Sequence, residues 1–510
     1  RTVTVRFHST PRIARRGLVI MVATCSIAMA ACSHSGAPYS TTAASPPVPN
    51  VLAGPTVGVT NQLLGAAESN LAGLDWNTGN LSAVAPLRPP LVRIDAELAA
   101  VSPRPGVIDT GPLLRKVATI RANGGEPLVI IDYLPAWLGQ STVAASCPGC
   151  DPTLVAPQDW AAYDSLVRTV VQRLATAPQP ARVFEVWNEP DLTFWNDTKA
   201  RFLELAAHTH RDVAIVASET HLALHVGGPA AAMFTADPTF IRNYVAAIEQ
   251  ADLPIDFVSF HWYANYPCLG PDHPESAGER SLWEKLKCSN PNLTPASYGT
   301  LIAKVRAAVQ SAVPPGRPMP ELVLDEWNMS AGGYDVRQDT NVGASFTLAS
   351  LIEMEDAGLG RAYYYRAVKG LPTTPGDWGI ATQTGGHIPA WSILYTWEHL
   401  HGERLGLVGS QPAGVWIRAV RSGSSISVLV ANFSVQSAAT QPLTLQFDPA
   451  CTHDATVRTI DAIHASFDDT GISPEGTTDD HVEAPSQGRL GFSLPPNSAM
   501  WVTTSCPPIQ

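Results

Sequence analysis

From residue 51 onward the apolar positions follow two alternating habits. Short, nearly unbroken apolar runs occupy 57–59, 91–94, 128–133, 183–187, 225–228, 257–261, 322–325 and 362–365, the first being the weakest. Between them lie longer stretches, such as 160–175, 202–216 and 298–313, whose apolar residues recur at three- and four-residue spacing. Unbroken runs suit strands covered on both faces, and the spaced pattern suits amphipathic helices. Their alternation predicts βαβ units around a parallel sheet, and eight runs in about 350 residues predict a (β/α)8 barrel over 51–400.

Past residue 401 the rhythm changes. Runs at 415–419, 426–433, 443–447, 456–460 and 500–503 are separated by Gly, Ser, Asn and Pro. They predict antiparallel strands, and hence a β-sandwich domain over 401–510 beside the α/β barrel. Residues 33–50 are mostly Ser, Thr, Ala and Pro, which favours an extended tether and cannot build a core. Residues 1–32 read as an export signal: Arg1, Arg6, Arg12, Arg15 and Arg16 precede an apolar run that closes on Met29-Ala30-Ala31-Cys32. That ending resembles a lipobox, so Cys32 is a candidate for lipidation and the protein is expected to face outward from a membrane, held by that lipid alone. Cleavage with release, or a twin-Arg signal at Arg15-Arg16, are the alternatives.

Composition narrows the partners. A chain of 510 residues with 45% hydrophobic and 15% charged positions is a folded protein long enough for two domains. Its net charge of −12 lacks the Lys/Arg surplus that neutralises phosphates, which excludes nucleic acid and anionic membrane surfaces as partners. Export would also place the cysteines in an oxidising compartment. Cys147, Cys150, Cys268, Cys288, Cys451 and Cys506 are even in number. Fifteen connectivities exist, and nearest-neighbour pairing (147 with 150, 268 with 288, 451 with 506) keeps each bridge within one loop or domain. Cys147-Pro148-Gly149-Cys150 could instead be a redox dithiol or half of a zinc site, but no second CxxC accompanies it.

In a barrel of this kind the chemistry gathers at the carboxyl ends of the strands. The fourth run ends in Trp187-Asn188-Glu189-Pro190 and the seventh in Asp325-Glu326-Trp327-Asn328. Strands four and seven face each other across an eight-strand ring, so inward carboxyl groups can approach to about 5–5.5 Å. That separation suits cleavage of a glycosidic bond through a covalent intermediate, one carboxyl donating a proton and the other attacking. Glu189 takes the acid/base role and Glu326 the nucleophile. Strand alternation aims Asp325 away from the barrel interior, and Glu185, four residues before Glu189, is deep enough to be a structural partner. Trp187 and Trp327 read as packing beneath the site. Trp137 and Trp378 follow strand runs and could stack on sugar faces. His221 and His225 share i, i+4 spacing but lack the Glu that a helical zinc motif carries, so no metal is expected. Arg361 and Arg366 flank the eighth run; they read as solvated or structural, with Arg366 also able to reach a sugar carboxylate.

The tetrad at 187–190 resembles the acid/base signature of clan A glycoside hydrolases, and its extension through Asp191, Leu192, Phe194 and Trp195 is similar to family 39. That family holds β-xylosidases, α-L-iduronidases and some bacterial exopolysaccharide hydrolases. Ser259-Phe260-His261-Trp262-Tyr263 resembles its sixth-strand motif, and the string from Leu324 to Ser330 its nucleophile strand. The resemblance implies retaining hydrolysis of an oligo- or polysaccharide without metal or cofactor, Asn188 on the sugar 2-hydroxyl, and His261 and Tyr263 lining the subsite of the cleaved sugar. Arg93 and Asp95 on the second strand are further candidates for sugar contact, although the sequence around Asp95 departs from the xylosidase pattern. A carbohydrate-binding lipoprotein without turnover and a transglycosylase are the competing readings.

Overall fold

The computed structural model of the chain describes residues 54–68, 70–77, 79–140, 149–264, 294–331, 335–370, 376–434, 439–451, 455–467, 480–482 and 488–507. Cys32, Cys147, Cys268 and Cys288, and so the lipidation site and two of the expected bridges, lie outside the described residues.

Eight parallel strands close a barrel in chain order: β2 (Gly73–Asp75), β3 (Leu91–Asp95), β4 (Glu126–Ile131), β5 (Val183–Val186), β6 (His225–Ala231), β7 (Phe257–Tyr263), β8 (Glu321–Asn328) and β9 (Arg361–Tyr364). Seven of the eight predicted runs fall on these strands. The run at 57–59 does not. It belongs to β1 (Thr56–Ala66), expected within the 51–400 barrel stretch, which pairs with β10 (Glu403–Val408) and, in parallel, with β13 (Gln441–Gln446) of a second sheet. The reason is in its side chains: Val57 and Val59 are buried while their neighbours stay accessible, a one-faced strand, whereas a barrel strand is covered on both faces. The true first barrel strand is only Gly-Leu-Asp, too short to register as an apolar run. Gly73 must be glycine there, because a Cβ would meet the Ala362 carbonyl oxygen at 2.5 Å.

Helices cover the barrel where the spacing predicted them. Trp160–Ala175 is capped by the Asp159 side chain and Lys199–Thr220 by Thr198, each accepting from a backbone N–H of the first turn. Leu91, Leu128, Ile130, Val183, Phe257, Val323 and Tyr363 fill the barrel interior as one apolar plug. Above that plug the interior turns polar.

The second sheet has nine strands in the order β15-β14-β17-β12-β11-β10-β1-β13-β16, with β11 (Val415–Ser422), β12 (Ser425–Asn432), β14 (Ala455–Ile460), β15 (Asp480–Val482), β16 (Arg489–Leu494) and β17 (Ser498–Ser505) completing it. It folds over a core of its own that includes Val57, Val428, Val430, Leu445, Phe492 and Val502, the sandwich expected from the sequence. The Cys451–Cys506 disulfide closes it as expected. Strand β12 is buried on both sides: Val428 and Val430 face the sandwich, while Leu429, Ala431 and Phe433 join the barrel's core. The barrel partner is the helix Asn341–Asp356, apolar around most of its circumference because sheet and barrel both cover it.

Candidate active site

The polar layer above the plug is built around one arginine. Arg93, on β3, is 1% exposed. Its Nε donates to Glu185 Oε2 at 2.7 Å, Nη1 to Asp75 Oδ2 and to Glu326 Oε1 at 2.9 Å each, and Nη2 to Asn188 Oδ1 at 2.8 Å, with Asp325 Oδ2 3.2 Å away. Four carboxylates on three strands share this single guanidinium, whose charge they hold well in place against the desolvation that burial imposes. Arg93 therefore reads differently from its sequence: it lies beneath the site with its donors engaged by protein and is not placed to touch a sugar.

Glu189 follows β5 through a turn in which Trp187 (φ 65°) and Glu189 (φ 46°) both adopt left-handed backbone. Non-glycine residues enter that region at a cost, and here the turn lifts the Glu189 side chain into the mouth of the barrel. The backbone N–H of Glu189 donates to Ala230 O, and Asp191 accepts from the N–H groups of Ala232 and Met233, which ties the turn to the loop after β6. Trp187 and Trp327 are fully buried among aromatic rings, as packing residues.

Glu326 reaches the same cavity from β8, and it does so with Asp325. The expectation that Asp325 points away is corrected. The β7/β8 register shifts between Phe260 and His261, and the β8/β9 register between Leu324 and Trp327. This irregularity breaks the two-residue alternation, so adjacent residues both turn inward. Asp325 meets Arg93 and His261, and Glu326 accepts from Arg93 and from the Tyr263 hydroxyl at 2.7 Å. Glu189 and Glu326 are each 8% exposed. Together with His261 they offer ligand atoms that all lie within 4.8 Å of one another.

His261 sits between them. Its Nδ1 is 2.8 Å from Glu189 Oε1 and 3.5 Å from Glu326 Oε2, and its Nε2 is 3.2 Å from Asp325 Oδ2. Burial alone would lower its pKa, but the facing charges of Glu326 and Asp325, with hydrogen bonds to Asp325 and Glu189, hold it well above the ordinary histidine range. Burial pushes the Glu326 carboxyl up, against the pull of His261 and Arg93. Burial would raise Asp325 too, yet His261 and Arg93 keep it below the ordinary range. Among the described residues the trio Glu189, His261 and Glu326 is the set that could hold a metal ion. A protonated imidazole has no lone pair to offer one, so the charges already present work against that use.

The remaining predicted residues are placed as follows. Asn188 is half-buried beside Arg93, with Nδ2 3.4 Å from the Tyr133 hydroxyl. Asp95 ends β3 half-buried, and burial raises its carboxyl. Trp378 is half-buried, donates Nε1 to Ser330 O and stands edge-on to Tyr365, whose ring meets that of Tyr263. It thus belongs to the wall of the Glu326 side. Trp137, in the helical stretch that begins at residue 136 after β4, donates Nε1 to Ser102 O. The Arg366 charge is met by both oxygens of Asp377, not left open for a sugar carboxylate. Sequence reasoning missed Asp75, Tyr133, Asn77 and Tyr365; Asn77 donates to the Tyr365 hydroxyl at 2.9 Å. Asp75 carried the one usable signal, a strand-end acid, but its strand was too short to be recognised.

Residues 118–369 match the family described as "Glycosyl hydrolases family 39". Those 252 residues, just under half of the chain, are similar to that family. The match begins inside the helix Gly111–Ala122 and takes in six of the eight barrel strands, β4 through β9. A "Beta-xylosidase" of Caldicellulosiruptor saccharolyticus is 25% identical over 324 residues, which cover 61% of this chain and 61% of that protein. The match thus spans less than two thirds of that relative's length. Among solved structures, a glucosidase from Croceicoccus marinus superposes with a TM-score of 0.66 at 18% identity, over 88% of this chain and 99% of that one. The GH39 enzyme from Xanthomonas axonopodis pv. citri gives 0.65 at 19% identity, over 91% and 100%. At such identities these structures speak to the fold alone.

Proposed function

We propose that the protein is a retaining glycoside hydrolase in which Glu189 is the general acid/base and Glu326 the nucleophile, acting on an extracellular or cell-envelope glycan. The observation that carries this is the approach of the two carboxyl groups to within 4.8 Å, from the fourth and seventh barrel strands. So small a gap leaves no room for a water between base and sugar, which favours direct attack by a carboxylate. Glu189 protonates the leaving oxygen while a Glu326 oxygen bonds to the anomeric carbon. Glu189 then takes a proton from the water that releases the sugar, so the configuration is inverted twice and retained. Arg93 and Tyr263 hold the attacking carboxylate from two directions, and His261 supplies positive charge between the acids while the sugar's own charge develops. The relatives' names make aryl β-xylosides the first substrates to try.

A 2-deoxy-2-fluoro glycoside with a good leaving group should inactivate the enzyme and leave its sugar on Glu326, found by peptide mass spectrometry. Glu326→Ala should abolish turnover. Label on another residue, or an anomeric product of inverted configuration by NMR, overturns the assignment. Outward placement rests on the Arg-rich apolar start and Cys32, and on the Cys451–Cys506 disulfide, a bond suited to oxidising compartments. Labelling with radioactive palmitate that is lost in Cys32→Ser would support the anchor, and its persistence would refute it.

A further inference from the structure

The amino-terminal mouth of the barrel holds a cavity of about 500 Å3, at the opposite end from the carboxylate layer. Its walls are the first residues of five strands, Leu91, Glu126, Val183, His225 and Arg361, joined by Arg182 and His221. Leu91 and Val183 form an apolar floor that is continuous with the barrel plug, so the cavity does not open into the active site. A space of this size is within the range of small-molecule pockets, roughly 300–1,000 Å3.

Its charge is the reverse of the chain's. The protein carries a net −12, yet here two arginines and two histidines face one glutamate. That glutamate is already neutralised, since Glu126 accepts both terminal nitrogens of Arg121 at 2.5 and 2.6 Å. Arg361 shares its charge with Glu321 at 3.1 Å, and His225 lies 3.2 Å from Asp256. Arg182 has no such partner. It forms no ion pair among the described residues, and its Nη1 is shut away from solvent without a hydrogen-bond acceptor. Arg182 is only half-buried, and a guanidinium that lines a cavity without a counter-charge leaves its accessible N–H groups for an oxyanion that enters there. The helix ending at Thr220 turns its carbonyl end toward His221, but the partial charge there is roughly half a unit, less than the full charge on Arg182.

We infer that this mouth is a binding site for a small molecule with an oxyanion group, a phosphate or a carboxylate, on an apolar body. The oxyanion pairs with Arg182, with Arg361 and the two histidines at the rim, and the body rests on Leu91 and Val183. Calorimetric titration at constant ionic strength with inorganic phosphate, phenyl phosphate and benzoate tests it. Phenyl phosphate or benzoate should bind saturably and more tightly than inorganic phosphate, and whichever wins identifies the anionic group. Arg182→Gln should weaken that binding about ten-fold, the share of one charge-assisted hydrogen bond, while glycoside hydrolysis at the other end is unchanged. Should Arg182→Gln fail to fold, His221→Asn and Arg361→Gln carry the same test. Absence of saturable binding by all three probes, or equal affinity in the folded variants, overturns the inference; inorganic phosphate binding as tightly as phenyl phosphate overturns the apolar contact. Binding is read directly, so this result does not depend on the roles proposed for Glu189 and Glu326.

Discussion

Tyr263 places one hydroxyl on Glu326, and the consequences of losing it are specific. That hydrogen bond lowers the Glu326 pKa against the upward push of burial. Tyr263→Phe should therefore move the acidic limb of kcat/KM to higher pH, because the attacking carboxylate ionises later. It should also lower kcat/KM about ten- to hundred-fold, the worth of a hydrogen bond to a charged group. A pH–rate profile of the variant checks both; a limb that stays put would mean that another group titrates there. The same few residues show what the sequence could and could not disclose. Glu189 and Glu326 were legible because each closes an apolar run beside Trp and Asn. Asp325 was not, because a shift in strand register has no signature in a pattern of alternating residues. Nor was the use of Arg93 legible: a strand-end arginine looks the same whether it greets a sugar or gathers four acids.

At the level of elements, the helix Pro389–His399 carries Glu398, whose Oε2 is buried without a partner. Burial pushes its carboxyl from 4.5 up to about 7. A folded-state pKa raised in this way contributes stability that is complete below the unfolded value and lost as pH climbs through the folded one. The wild type should then lose stability between pH 4.5 and about 7 on this account, and Glu398→Gln should flatten that slope. Melting temperatures at the two ends of the window decide it, and parallel curves for wild type and variant would rule it out. The helices at 160–175, 202–216 and 298–313 were readable from their spacing because each has one apolar face and a polar one, which the doubly covered helix Asn341–Asp356 lacks. The first barrel strand was not, since three residues cannot show a period. The run at 57–59 was read as its substitute because two valines flanking a glycine fit either sheet.

Across the whole molecule, barrel and sandwich share the helix Asn341–Asp356 and the doubly buried strand β12, so they should unfold together. The Cys451–Cys506 bridge closes a loop of 55 residues, and such a loop is worth about 4 kcal/mol in the chain-entropy view. A Cys451→Ala, Cys506→Ala double variant should lose stability toward that amount in urea, in a single transition seen alike by near-UV and far-UV circular dichroism. Two separate transitions would show that the sandwich melts independently. The sheet's composition from both ends of the described chain has a further bearing on how the protein comes into being. Thr56 pairs with Thr444, so a chain delivered from its amino end presents β1 long before its partners exist. That strand must wait, edges open, through the synthesis of the entire barrel. Whatever keeps it from pairing with a neighbouring nascent chain in that interval governs the yield of native protein, and shortening the wait by moving β1 to the carboxyl end of a permuted gene is the direct way to raise it.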